Sequence, residues 1–231
     1  MTFQETERQS RSALTAAGLT FGYPNGATLL DRLNLNVLPS SLTCVTGPSG
    51  AGKSTLLYCL AGVLPAQGHI EIMGHRLSPD PAQRAAIRMA HCGFIFQRGE
   101  LLPEMTVLEN VALPLRLTGT GRHDAINAAQ HWLDRLGIAE CAPRRSDEIS
   151  GGQAQRASVA RALIHQPSVI FADEPTASLD PTSRARVLHA LHTAIRAGAA
   201  VLCATHDPEL VRDADTEYPI GNHKDIVDAT T

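Results

Sequence analysis

The chain has 231 residues, 43% of them hydrophobic, and a formal net charge of −3, enough apolar content for one domain or one domain with an inserted lobe. A pI near 6.3 argues against a surface built for nucleic acid or anionic lipid, so no nucleic-acid partner is expected. No apolar run approaches the ~18 residues of a membrane helix, so a membrane role requires a partner that supplies the span.

Residues 1–12 read as a polar tail without the apolar stretch of a secretory signal. "LTAAGLTFGYPNG" and "LLDRLNLNVL" then alternate apolar with polar residues as half-buried strands do, with "PNG" as the turn between them. "LTCVT" is a short apolar strand that runs directly into a glycine-rich loop, and "KSTLLYCLAGVL" after it has helical spacing. From "GHIEIMGHRL" the pattern returns to short strands, and "CGFIF" is a strand ending at Gln97. Between residues 98 and about 150 a helical insert is expected, with Pro114 bending or ending its first helix. A helix in "GGQAQRASVARALIH", a strand in "SVIFA", a helix in "PTSRARVLHALHTAI", a strand in "AAVLCA" and a short helix near "DPELVRD" complete an alternation that implies a parallel sheet and an α/β core.

Three motifs carry chemistry. "GPSGAGKST", residues Gly47, Pro48, Ser49, Gly50, Ala51, Gly52, Lys53, Ser54 and Thr55, fits the phosphate-loop pattern GxxxxGK[ST] at a strand-to-helix junction. There the glycines permit a tight wrap, the helix start adds about half a positive charge, Lys53 faces the outer phosphates and Ser54 is placed to ligand Mg²⁺. In "SVIFADEPT" an apolar strand ends in Asp173, suited to the Mg²⁺ shell, and Glu174, suited to activating a water. In "ISGGQAQR", Ser150 is a good N-cap, and Gly151 and Gly152 leave backbone donors uncovered at a second anion-binding helix start. Two such starts in one chain suggest a nucleotide sandwiched between two copies. The five cysteines form no CxxC pair and read as small buried hydrophobes. His189 and His192 share a helical face without a third ligand and read as surface residues.

With these residues in view, the chain resembles the ATP-binding subunit of an ABC transporter from about Leu14 to Val227. "GPSGAGKST" resembles the Walker A loop, "ISGGQ" the signature, "VIFADE" the Walker B strand, "ASLD" the D-loop and "ATHD" the switch-histidine motif. The resemblance implies an α/β P-loop NTPase (RecA-like) core with an antiparallel β subdomain and an inserted α-helical subdomain, together an ATPase domain over residues 13–231. It implies that Tyr23 stacks on adenine, with Phe21 as competitor, and that Gln97 touches Mg²⁺ and the attacking water. It further implies that His206 holds the γ-phosphate, that Ser150, Gly151, Gly152 and Gln153 face nucleotide, and that Asp180 faces a partner's phosphate loop.

"QRGELLPEMTVLENVALPLRL" resembles the MacB, LolD and FtsE branch, although "PSS" replaces the usual Gly-Glu before the third strand and Gln153 stands where many members have Glu. That branch implies a homodimer of ATPase subunits on two Mg-ATP at the cytoplasmic face of the inner membrane, driving two copies of a separate four-helix permease. The expected work is export or extraction of an amphipathic or hydrophobic compound: haem, drug, peptide or lipoprotein. The alternatives are FtsE-like mechanical signalling without transport, and a soluble nucleic-acid-handling ABC ATPase, whose usual coiled coil, zinc module or second ATPase copy is not read here. A small-molecule kinase leaves the signature and His206 without a role.

Overall fold

A computed structural model describes residues 12–221 apart from 25, 27 and 98. Residues 1–11 of the expected tail, the middle of the "PNG" turn and the end of the resemblance at Val227 lie outside the described residues.

Two sheets form. Strands β1 (Leu14–Gly22), β2 (Thr28–Val37), β4 (Gln67–Ile72) and β5 (His75–Arg76) make an antiparallel sheet in the order β2-β1-β4-β5. Strands β3 (Leu42–Thr46), β6 (Cys92–Ile95), β7 (Val169–Asp173), β8 (Ala200–Ala204) and β9 (Thr216–Pro219) make a parallel sheet in the order β6-β7-β8-β3-β9. The helices are α1 (Lys53–Leu60), α2 (Pro81–His91), α3 (Val107–Leu117), α4 (Arg122–Arg135), α5 (Gly151–Leu163), α6 (Pro181–Arg196) and α7 (Pro208–Asp213), with short 3₁₀ turns at Ala139–Cys141 and Ser146–Glu148.

The parallel strands separate two hydrophobic cores, and their period of two explains the division. Leu42, Cys44, Ile170, Ala172, Val201 and Cys203 face a core shared with α3 to α6. Val45, Phe171, Leu202 and Ala204 face the other core, shared with α1 and the antiparallel sheet. Strands covered on both faces read as continuous apolar runs, which is why "VIFA" and "AVLCA" show no alternation. The five cysteines are free, four of them buried; burial pushes the thiols of Cys59 and Cys92 up to about 12, so both stay protonated and inert at neutral pH.

Eight residues are too few for α1 to be stable alone. Leu56, Leu57, Cys59 and Leu60 are fully buried, each leucine contributing about 2 kcal/mol by leaving water, so tertiary packing fixes the helix on which the glycine loop rests. An aromatic stack continues this anchor: Tyr58 of α1 lies on Phe94 of β6 with centroids 5.3 Å apart, and Phe94 contacts Phe96 at 4.4 Å and Phe171 at 5.9 Å.

Several details go beyond or differ from the sequence-based expectation. The strand expected to end at Gln97 stops at Ile95, and Gln97 lies in an exposed turn closed by a Gly99 amide to Phe96 carbonyl bond of 3.2 Å. Pro114 does not end its helix, which runs on to Leu117; what the proline removes is one i→i−4 bond, to the carbonyl of Asn110. The helix α2 and the edge strand β9 were not anticipated. No residue of α2 is fully buried, and its start is marked by the Asp80 N-cap, bonded to the Ala82 amide at 3.0 Å, and by Pro81 at the first helical position.

Candidate functional site

Parallel pairing brings the chemistry to one edge. In the order β7-β8-β3, Asp173 is in register with Ala204, and Ala204 with Val45. The residues just beyond that level are Glu174 after β7, Thr205 and His206 after β8, and the loop from Gly47 after β3. This is the carboxyl end of adjacent parallel strands, where open α/β sheets bind their ligands.

The loop from Gly47 to Gly52 needs glycine at defined points. Gly47 has φ +143°, and a Cβ there would lie 2.0 Å from the Ile220 carbonyl oxygen. Gly52, the N-cap of α1, is left-handed at φ +97° and supplies no side-chain cap. The first amides of α1 therefore have neither an intrahelical acceptor nor a capping side chain. Pro48, Ser49 and Gly50 are exposed, while Ala51 and Gly52 are half-buried. Lys53 is buried, and its Nζ donates to the carbonyls of Gly47 at 2.8 Å and Pro48 at 3.1 Å. The same Nζ lies 3.0 Å from His206 Nε2. An ammonium only donates, so Nε2 accepts and the neutral ring carries its proton on Nδ1. The 3.8 Å approach of Glu174 Oε1 to that Nε2 is too long for a hydrogen bond.

Glu174 has φ +47°, a left-handed conformation that a glutamate adopts only when its surroundings impose it. Its amide donates to the Ala204 carbonyl at 2.8 Å, and its Oε2 accepts from Thr205 Oγ1 and the His206 amide, both at 3.3 Å. Asp173 is 2% exposed. Burial, the largest influence, pushes its carboxyl above the usual range; a hydrogen bond from Ser54 and the charge of Lys53 pull it down, while Glu174 and Glu100 push it up. Tyr23 is 51% exposed, edge-on to Phe21 at 5.0 Å, with its hydroxyl 3.3 Å from Thr55 Oγ1. Its ring thus stands beside α1 with a face available for stacking.

The signature residues form a separate group. Ser150 caps α5, its Oγ accepting from the Gln153 amide at 3.3 Å while Gln153 Oε1 accepts from the Ser150 amide at 2.9 Å. Gln153 completes this reciprocal cap as a glutamate would, which accounts for its tolerance there. Nothing stands where a Cβ on Gly151 would point, and one on Gly152 would meet only Leu179 at 3.5 Å. Asp180 caps α6 through the Ser183 amide at 3.0 Å, and the Ser183 bonds hold its carboxyl below the usual range. Among the described residues no hydrogen bond joins Ser150–Gln153 to the glycine loop.

Sequence reasoning missed the supports. Asp207, N-cap of α7 and next to His206, is gripped by Arg184 at 2.7 and 2.5 Å and by Thr176 Oγ1 at 2.8 Å. Asn110, fully buried, accepts from the Leu102 amide at 2.8 Å and donates to the carbonyls of Leu102, Met105 and Thr106. Arg161 of α5 reaches Asn110 Oδ1 at 3.4 Å and the Gly99 carbonyl at 3.3 Å, so the segment after Gln97 is tied to α5. Arg184 and Thr176 are remote from Asp207 in sequence, as Arg161 is from Asn110 and Gly99; the local signals were the capping pattern of Asp207 and Pro208 and the short reach of Asn110 to the loop before its helix. Next to α3 and α4 lies an open, mainly apolar groove of about 1320 Å³, lined in part by Met105, Leu108, Leu113 and Ile126, with Glu104 and Arg122 also on its walls.

A glycine loop with a buried lysine, two carboxylates at the end of β7 and, just after the strand β8 between them, a histidine within reach of both define a P-loop ATPase. Residues 30–177 match the ABC transporter family, and the chain belongs to that family as an ATP-binding cassette. It is 39% identical to the lipoprotein-releasing system ATP-binding protein LolD 1 of Rhodospirillum rubrum, over 89% of this chain and 93% of that one. It is 40% identical to the macrolide export ATP-binding/permease protein MacB of Rhodopseudomonas palustris over 96% of its length, which spans 35% of that longer protein. A solved ATP-binding cassette, described as a dimer in a post-hydrolysis state bound to ADP and Pi, superimposes with a TM-score of 0.85 at 29% identity, covering 90% of this chain and 94% of that one.

Proposed function

We propose that this ATPase closes as a head-to-tail homodimer over two Mg-ATP and drives a separate pair of four-helix permease subunits of MacB-like type, at the cytoplasmic face of the inner membrane. The transported compound is amphipathic or hydrophobic: haem, drug, peptide or lipoprotein. The observation that carries the dimer is the separation of the two phosphate-directed helix starts, since the α5 start has open amides and no bond to its own glycine loop. A second copy turned head to tail brings the α5 start of one chain to the glycine loop of the other, with Asp180 facing the same loop. The relatives named LolD and MacB favour the branch.

In this reading Tyr23 stacks on adenine, the α1 amides from Lys53 to Thr55 wrap the phosphates, and Lys53 turns from the loop carbonyls to the outer phosphates. The oxygen set of Ser54 and Asp173 suits a small hard cation, and a carboxyl buried beside a second carboxylate gains from a positive charge there. These two residues hold Mg²⁺, with Gln97 reaching toward it. When bound, the ion neutralises charge on the β- and γ-phosphates. Glu174 accepts the proton of the attacking water, and His206, released by Lys53, holds the γ-phosphate and orients that water. No helix among the described residues is long and apolar enough to cross a membrane, and the apolar groove beside α3 and α4 is where a cytoplasmic helix of the permease docks.

Replacing Glu174→Gln tests the chemistry. ATP binding is retained, turnover falls about 100-fold or more, and ATP traps a dimer visible by size exclusion; near-normal hydrolysis overturns the assignment. Pull-down of that variant with ATP from solubilised native membranes tests the branch. A four-helix protein with a large outer domain supports it, a different membrane protein removes the MacB-like type, and bound nucleic acid in place of a membrane protein removes the transport reading. Leu113→Asp in the groove abolishes capture of the permease and leaves ATPase activity of the isolated cassette within about twofold, since the groove is remote from the phosphate loop.

A further inference from the structure

Gln155 lies one turn inside α5 and is 3% exposed. Its Nε2 donates to the carbonyl of Pro175, a long bond of 3.5 Å, and its Oε1 is buried without a partner among the described residues. Turning the amide over would set oxygen against the Pro175 oxygen, so that carbonyl fixes which end points where. A buried amide with one long bond and one orphaned oxygen is unfavourable by about 1–3 kcal/mol relative to a satisfied one. An apolar residue of the same shape avoids that cost, so packing alone does not explain a glutamine here.

The carbonyl it touches belongs to the residue after Glu174. That turn is held on its other side by the Glu174 amide to Ala204 bond, and it closes through the Ala177 amide to the Glu174 carbonyl at 3.1 Å. The same stretch continues to Leu179, which would be met by a Cβ on Gly152. The first turns of α5 therefore rest on the segment that sets the left-handed backbone of Glu174, and Gln155 supplies the one side-chain hydrogen bond between them among the described residues.

We propose that Gln155 is a positioning residue that couples the α5 start to the Glu174 turn of the same chain. The inference rests on the dimer reading above, in which the α5 start of one chain meets nucleotide held by the other. Occupation of one site then adjusts the base of the second, and hydrolysis is cooperative in ATP. The chemistry stays with Glu174, and Gln155 touches neither ATP nor water.

The test uses the full chain with Gln155→Met, which keeps shape and removes the donor, and Gln155→Asn, which keeps the amide one methylene short. ATP hydrolysis and ATP-dependent dimerisation are measured on both, with Glu174→Gln as a control. The expected result is a kcat about 10-fold lower, KM and ATP-dependent dimerisation within about twofold of wild type, and a Hill coefficient falling toward 1. A merely structural role lowers dimerisation and raises KM together with the loss of kcat, and that result overturns the proposal. So does a kcat within about twofold of wild type while Glu174→Gln is inactive. An active Glu174→Gln instead removes the base assignment itself. Should Gln155→Met fail to fold, Gln155→Asn decides between the same outcomes.

Discussion

The starts of α1 and α5 are both directed at phosphate, and they are built in opposite ways. At α1 the N-cap is a left-handed glycine without a side chain, and three amides stay open above a buried lysine. At α5 a reciprocal Ser150–Gln153 cap consumes the third amide and leaves two. The nearest cation on α5 is turned away: Arg156 bonds the carbonyls of Gly152, Leu136 and Gly137. A site that must grip a polyanion unaided leaves its helix uncapped and adds a charge, and the helix structure depends on tertiary packing. A site that adds to a grip made elsewhere keeps a capped, self-sufficient helix with a few free donors.

Removing the lysine should break the comparison most strongly. Lys53→Ala is expected to weaken ATP binding and to cut turnover about 100-fold, equivalent to about 2.7 kcal/mol; unchanged ATP affinity by fluorescence titration would place the principal grip elsewhere. A third helix start sharpens the contrast, because α7 is capped by an ionised group and serves position rather than ligand. Hydrogen bonds from Arg184 hold the Asp207 carboxyl well below the usual carboxylate range, opposed by burial and assisted by Thr176 and the Glu209 amide. A group lowered in the folded state stabilises fully above its unfolded value, about 3.9, and that contribution is lost as pH falls through the folded value. Asp207→Asn is therefore expected to lower stability by about 2 kcal/mol at pH 7, and denaturant melts should show the gap closing below about pH 4. The smallest effect belongs to the α5 cap. Ser150→Ala should destabilise by about 1 kcal/mol and weaken ATP-dependent dimerisation while leaving monomer ATP affinity intact; a loss of monomer affinity would contradict the division of labour.

The legibility of the site followed the same division. Lys53, Ser54, Asp173 and Glu174 were readable because loop and strand end impose fixed spacing, and the doubly covered strands announced themselves as apolar runs. Ser150 was readable as a cap, a local property of four residues. Arg161, Arg184 and Gln155 were not, since each acts on a backbone or side-chain group that only the fold brings near. Helix α2 escaped notice although its start carries a clear local signal in Asp80 and Pro81; of its apolar residues Ile87 packs against a core, and only partly.

The central wall between the two cores also sets how the molecule breathes. Backbone amides of β7 and β8 have sheet partners on both sides and hydrophobic cover on both faces, so they exchange with deuterium only when both cores open. Edge strand β9 and helix α2 lack that double cover and exchange early. The protection map of this chain therefore descends from the middle of the wall outward, and the His206 and Glu174 turns, attached at the ends of β8 and β7, inherit a rigid mounting.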